Sequence, residues 1–391
     1  MDYITAGESH GPSLITLVRG VPADVALSSA AINADLRRRQ SGYGRGGRMA
    51  IETDTVRIIS GLRFGRTLGS PIALEIENKD WENWSQRMAH EGPPPTDLVL
   101  EQSPRPGHAD LVGAMKLNTT DCRNILERAS ARETAARVAA GSVAKAVLAP
   151  FGVEINSYVV RIGDVELPQE EIARKAAVFS AERIESSPVR CPHAQTSDAM
   201  VKAIDAAREA GTSLGGWFVV TATGLVPGIG GFAEARLRLT SRIGSAFFSI
   251  PAIKGVEFGL GFTAGTLPGT LVHDPILFAP YMSGRIQPVR ASNNAGGLEG
   301  GMTTGETLIV RAAMKPIPTM TSPLATVDLI TRESVAASKE RSDICAVPAA
   351  AVVAEAELAF VLADVYLEKF GHDVMGDILA AFKHYVTRIR R

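Results

Sequence analysis

Chemistry in this sequence concentrates at turns bounded by glycine or proline. Gly7-Glu8-Ser9-His10-Gly11 sets a hydroxyl and an imidazole between glycines, just before an apolar run that reads as a strand. Glycines there let a ligand approach the backbone, and an imidazole can move a proton near neutral pH. The plainer alternative is a polar turn with a surface histidine. Arg105-Pro106-Gly107-His108-Ala109-Asp110 fixes a second turn that presents Arg105 and His108. Its His-x-Asp spacing would suit a metal, but no second histidine-rich motif supplies the remaining ligands, so no metal is expected.

Arginine dominates the other clusters. The chain has 31 Arg against 10 Lys, and the rigid guanidinium fork matches carboxylates and phosphates. GC-rich codon usage would also raise the total, so position has to decide. Between Arg37 and Arg48, five arginines and four glycines fall in twelve residues. Cations at a helix C-terminus explain Arg37 and Arg38; they do not explain Arg45 and Arg48 in a glycine loop, which suit a clamp on a small polyanion. An RNA-binding arm is the rival, but Tyr43 is the sole aromatic there. Ser130 followed by Glu133 predicts a capping box opening an Ala-rich helix, with Arg128 and Arg132 beside an anion-binding helix start. In the last third, Ser292–Gly301, Met314–Thr319 and Arg341–Pro348 offer extended backbone for a ligand. No Walker A sequence occurs, and Gly259-Leu260-Gly261-Phe262-Thr263-Ala264-Gly265 has the wrong spacing for a dinucleotide fingerprint.

Composition sets the outer bounds. Among 391 residues, 41 basic and 42 acidic side chains nearly cancel, which argues against a general nucleic-acid binder. An apolar fraction of 45% describes an ordinary globular chain. Cys122, Cys191 and Cys345 are far apart and suggest neither disulfides nor a zinc site, which fits a reducing cytoplasm. Met1–Gly11 lacks the apolar stretch of a signal peptide. The long apolar stretch Ala346–Phe370 is interrupted by Glu355, Glu357 and Asp364, and reads as an amphipathic helix rather than a membrane span.

The elements that must position these residues are interleaved. Strands are predicted at 13–18, 56–59, 72–76, 154–160, 218–223 and 307–312, and helices at 28–40, 130–148, 197–210, 326–341 and 349–370. Without a regular βαβ period, an α+β fold with antiparallel sheets is favoured. Glu91–Thr96 reads as an exposed loop. Thr67–Leu74 weakly echoes Thr303–Val310, which raises the idea of two similar halves within one domain spanning 1–391.

Gly7–Gly11, the Gly42–Met49 loop, Arg105–Asp110, Arg132–Ala135, Ser292–Gly301 and Arg341-Ser342-Asp343 occur in one order along nearly the whole chain. Together they resemble the chorismate synthase family. The resemblance implies a β-α-β sandwich, with antiparallel four-stranded sheets around a layer of helices, usually as a homotetramer. It implies a carbon–oxygen lyase at the last step of the shikimate pathway, hence aromatic amino-acid biosynthesis. There 5-enolpyruvylshikimate-3-phosphate loses phosphate and a ring hydrogen by anti-1,4-elimination to give chorismate, with reduced FMN required. It leaves NADPH open as the reductant, since some members reduce their own flavin and others use an outside reductase.

The resemblance also implies roles. Arg39, Arg45, Arg48, Arg105 and Arg132 match substrate or cofactor contacts; His10 matches the group that assists phosphate departure. His108 matches the histidine set against the reduced flavin, and Asp343 with Ser9 matches the relay taking a proton from flavin N5. The matching FMN cradle is Arg39, Arg45, Arg128, Ala129, Ser130, Pro251, Ala252, Gly300, Lys315, Pro316, Ile317, Pro318, Thr319 and Arg341. Rival readings are a non-catalytic anion- or RNA-binding protein, and a phosphatase using Ser9 and His10.

Overall fold

A computed structural model describes residues 1–46, 53–168, 179–280, 286–338 and 343–389. Two antiparallel sheets dominate. In the first, strands run in the order Asp2–Ala6, Ser13–Arg19, Ile72–Glu77, Val56–Ile58. Alternation decides its buried face: Leu14, Thr16 and Val18 sit opposite Ile76, Leu74 and Ile72, all buried. The second has five strands, not the four the family resemblance implies, ordered Ile253–Phe258, Leu308–Met314, Gly216–Thr223, Glu154–Ile162, Val165–Glu166. The fold class is therefore α+β, as the mixed pattern of elements predicted.

The helix Thr134–Leu148 packs on strands Ser13–Arg19 and Ile72–Glu77, and the helix Val347–Phe370 packs on Glu154–Ile162 and Gly216–Thr223. The two helices also pack on each other, and Ser29–Gln40 lies against both. Their approach is close at Gly141, where a Cβ would fall 2.2 Å from the Ala356 Cβ. Buried apolar residues from Leu14 to Ile378 form one continuous cluster.

Several expectations need correction. Val347–Phe370 is not amphipathic: it is buried nearly all round, and it keeps Glu355 and Glu357 inside by pairing them. Glu355 takes a bidentate pair from Arg38 (2.8 Å each) and contacts from Lys145 (3.0 Å), Arg190 (3.2 Å) and Ser157 (2.6 Å). The predicted 326–341 helix is absent from its described part, where Ala325–Val327 pairs with Ser334–Ala336 instead. Asp328 accepts from the Ile330 and Thr331 amides, and Arg332 has φ +65, so a side-chain-capped turn replaces the helical one. The helix Met375–Ile389 was outside the predicted elements, although Ile378, Phe382 and Tyr385 recur at helical spacing. All three cysteines are free and buried.

Candidate active site

A cavity of about 890 Å³ opens where the ends of the helices meet both sheets. The turn between the first two strands brings Ser9 and His10 to it. It can fold so tightly because Gly7 has φ +103 and a Cβ there would lie 2.3 Å from the Ser13 carbonyl oxygen. The Glu127 carboxylate gathers this turn. It accepts from the His10 amide (2.7 Å), and His10 Nδ1 lies 2.9 Å from its Oε1; the Ser9 amide donates to the Glu127 carbonyl (2.9 Å). Burial would raise the Glu127 carboxyl, but hydrogen bonds and charge from His10 and Arg123 outweigh that and hold it below its ordinary value. Trp84 covers His10, ring centroids 4.1 Å apart.

His108 is held in a parallel way. Its Nδ1 lies 2.5 Å from Oδ1 of fully buried Asp110, and Arg105 donates to Oδ2 of the same carboxylate (2.8 Å) and to Thr319 Oγ1 (3.2 Å). Burial alone would raise the Asp110 carboxyl; His108 and Arg105 reverse this and hold it well below the usual carboxylate range. Asp110, weighed above as a metal ligand, is an anchor for a histidine and an arginine.

The arginine-rich side is built on the last turn of Ser29–Gln40 and the start of Thr134–Leu148. Arg39 donates to Thr134 Oγ1 (2.9 Å) and the Ala131 carbonyl (2.9 Å), and pairs with Asp54 at 3.4 Å. Arg132 pairs with the same Asp54 and donates to Asn78 Oδ1 (2.9 Å). One carboxylate thus serves two buried guanidiniums. Burial pulls Arg39 down to about 10; Asp54 opposes that, while Arg132 and Arg45 add to it by repulsion. Arg45 pairs with Asp343 (2.8 Å), which also accepts from the Gly46 amide (2.7 Å). The capping box is only half formed. Ser130 Oγ accepts from the Arg132 amide at a 3-10 turn and donates to Ser9 Oγ (3.1 Å), while Glu133 turns to Thr5 and Arg137.

The opposite wall comes from Ile250–Lys254 and Met314–Thr319, beside two strands of the five-stranded sheet. Burial and the Lys254 charge hold Lys315 below its ordinary value. Of the predicted residues, Ser9, His10, Arg39, Arg45, Arg105, His108, Ala129, Ser130, Arg132 and Asp343 share this cavity with Pro251, Ala252, Lys315, Ile317, Pro318 and Thr319. Three predicted residues do not line it. Arg128 turns its guanidinium onto the Thr5 (2.7 Å) and Gly7 (3.0 Å) carbonyls, Gly300 sits in the turn before Met302–Thr303, and Pro316 is skipped between its neighbours. Arg48 and Arg341 lie outside the described residues.

Sequence reasoning missed Asp54, Asn78 and Glu127, which hold the reactive groups, and Asp80, Asn83, Trp84 and Lys254 on the wall. The one sequence signal for them was the paired tryptophans of Trp81-Glu82-Asn83-Trp84. Among the described residues the wall carries six fixed cations (Arg39, Arg45, Arg105, Arg132, Lys254, Lys315) against two carboxylates (Asp80, Asp343). That surplus favours a multiply charged anion. Among the described residues no group of three or more His, Cys, Asp or Glu could hold a metal, and no helix is long and apolar enough to cross a membrane.

The model of the family described as "Chorismate synthase" matches residues 1–367. The chain belongs to the chorismate synthase family. The resemblance carried by the six motifs is borne out across their whole span. Chorismate synthase of Aquifex aeolicus is 51% identical over 99% of this chain and 98% of its own length. That of Moorella thermoacetica is 53% identical over 99% of each chain. A solved structure described as "Crystal Structure of Chorismate Synthase" is 42% identical with a TM-score of 0.79, covering 100% of this chain and 98% of the other.

Proposed function

We propose that the cavity performs the reaction of its family, the conversion of 5-enolpyruvylshikimate-3-phosphate to chorismate at the end of the shikimate pathway. The observation that carries this is the convergence of six cations and two carboxylate-anchored histidines in one cavity. The substrate bears a phosphate and two carboxylates, so Arg39, Arg45, Arg105 and Arg132, with Arg48, supply the matching charge. His10, anchored at Nδ1 by Glu127, gives a proton to the departing phosphate.

The cavity also suits a flavin. Apolar groups such as Leu126, Ile250, Met314, Ile317 and Val353 line it together with Ser130, Thr319, Lys254 and Lys315, a donor set for a flat ring and a phosphate. Ala129, Ser130, Pro251, Ala252, Lys315, Ile317, Pro318 and Thr319 would hold reduced FMN, with Arg341, Arg128, Gly300 and Pro316 retained as proposed contributors. When bound, reduced FMN would supply an electron-rich ring to an elimination that has no net redox change. His108, fixed by Asp110 at Nδ1, holds a proton beside that ring. Asp343, oriented by Arg45 and Gly46, acts with Ser9 to remove the proton at N5.

The packing of one helix pair on both sheets supports a layered β-α-β arrangement, and the continuous core supports a single domain. Two similar halves fit the echo, since Ile72–Glu77 and Leu308–Met314 are both interior strands. A cytoplasmic homotetramer completes the proposal, with the flavin's reductant left open between NADPH and an outside reductase.

Anaerobic assay with reduced FMN should yield chorismate and phosphate in equal amounts. Full turnover without flavin overturns the proposal, and phosphate release alone without flavin would favour the phosphatase reading. Oxidised FMN with NADPH alone tests self-reduction.

A further inference from the structure

The His10 imidazole is held by more than its carboxylate. Glu127 engages one atom, Nδ1, at 2.9 and 3.1 Å through its two oxygens. A ring tethered at one nitrogen can still tilt about that contact. Trp84 covers a face of the ring at 4.1 Å between centroids and 34° between planes, closer than the roughly 4.5–7 Å usual for aromatic pairs, so the two rings are in direct contact. Trp84 is itself restrained. Its Nε1–H donates to Asp80 Oδ2 (3.2 Å), and the Arg123 guanidinium stands 5.1 Å from its ring centroid. Arg123 in turn donates to Glu127 Oε1 (3.2 Å). His10, Glu127, Arg123 and Trp84 therefore close a ring of contacts around one imidazole. The apolar core does not account for Trp84, which belongs to neither buried apolar cluster and lines the cavity instead.

We propose that Trp84 is a positioning residue for the reaction, fixing the plane of the His10 imidazole while Glu127 fixes its direction. The inference rests on the reading of His10 as proton donor. A tilted imidazole still leaves the arginines to bind the substrate, so the loss falls on the chemical step rather than on binding.

The test compares Trp84→Leu, Trp84→Phe and the wild-type protein. With reduced FMN, Trp84→Leu should lower kcat about 10- to 100-fold with KM within about threefold, and Trp84→Phe should stay within about fivefold of wild type. In the flavin-free protein, the His10 Cε1–H resonance, assigned by its loss in His10→Ala, should show an upfield ring-current shift. That shift should persist in part in Trp84→Phe and vanish in Trp84→Leu. A rise in KM at unchanged kcat would make Trp84 a substrate wall and overturn the proposal. So would unchanged kinetics, or a resonance insensitive to Trp84→Leu. Failure of the wild-type protein to make chorismate would strike the reaction assignment, while the resonance still reads the stacking.

Discussion

Asp110 stands two residues from His108 in the chain, and its fully buried carboxylate lies 2.5 Å from the His108 Nδ1. The contact assigns the Nδ1 proton to that pair and directs His108 chemistry to Nε2. Asp110→Asn keeps the shape but removes the charge that Arg105 also uses. Turnover should fall roughly 10- to 100-fold, against 10²–10⁴-fold for His108→Ala, and the double variant should match His108→Ala alone. Steady-state kcat for the three variants decides it, and full additivity would mean the two act separately.

Asp54 carries two buried cations, Arg39 and Arg132. Asp54→Ala leaves both without their shared anion and should cost about 3–5 kcal/mol in denaturant unfolding. Because the bared charges are those proposed to bind the substrate's anionic groups, millimolar inorganic phosphate should restore part of the loss, more than it stabilises wild type. A cost below about 1 kcal/mol would show that solvent already compensates the pair.

Glu355 makes acid stability predictable. Burial pushes its carboxyl up, but Lys145, Arg38 and Arg190 more than reverse this and hold it well below the usual range. A depressed folded value means the stabilisation is complete above the unfolded value near 4.5, and is lost as pH falls further toward the folded one. Unfolding free energy should therefore drop steeply below pH 4.5. Glu355→Gln should lose about 3–5 kcal/mol at pH 7 and show a flatter acid limb. Parallel acid limbs in the two proteins would count against this assignment.

Gly141 sets the spacing of the two central helices. A Cβ there would come 2.2 Å from the Ala356 Cβ and 2.4 Å from its Cα, so even alanine forces the helices apart. Gly141→Ala normally gains helix propensity, about 1 kcal/mol. Here it should instead destabilise by about 1–3 kcal/mol, read by thermal or denaturant unfolding. A stabilised variant would mean that the helices separate freely.

The reactive side chains could be read before the fold because each sits in a short motif whose glycines and prolines dictate local conformation. Strands predicted at 13–18, 72–76 and 154–160 appear as Ser13–Arg19, Ile72–Glu77 and Glu154–Ile162, since alternation is a local property. The anchors were not legible. Glu127, Asp54 and Asn78 look like any polar surface residue, and their partners lie 117, 78 and 54 positions away. Nor could local periodicity tell that Val347–Phe370 would be enclosed on all sides, because only packing against another helix and a sheet removes both faces from water. The sequence by itself determined which groups can hold anions and move protons. Tertiary structure decided that Glu127 orients His10, and that Arg39 and Arg132 share one anion, because such pairings form only when distant segments are buried together.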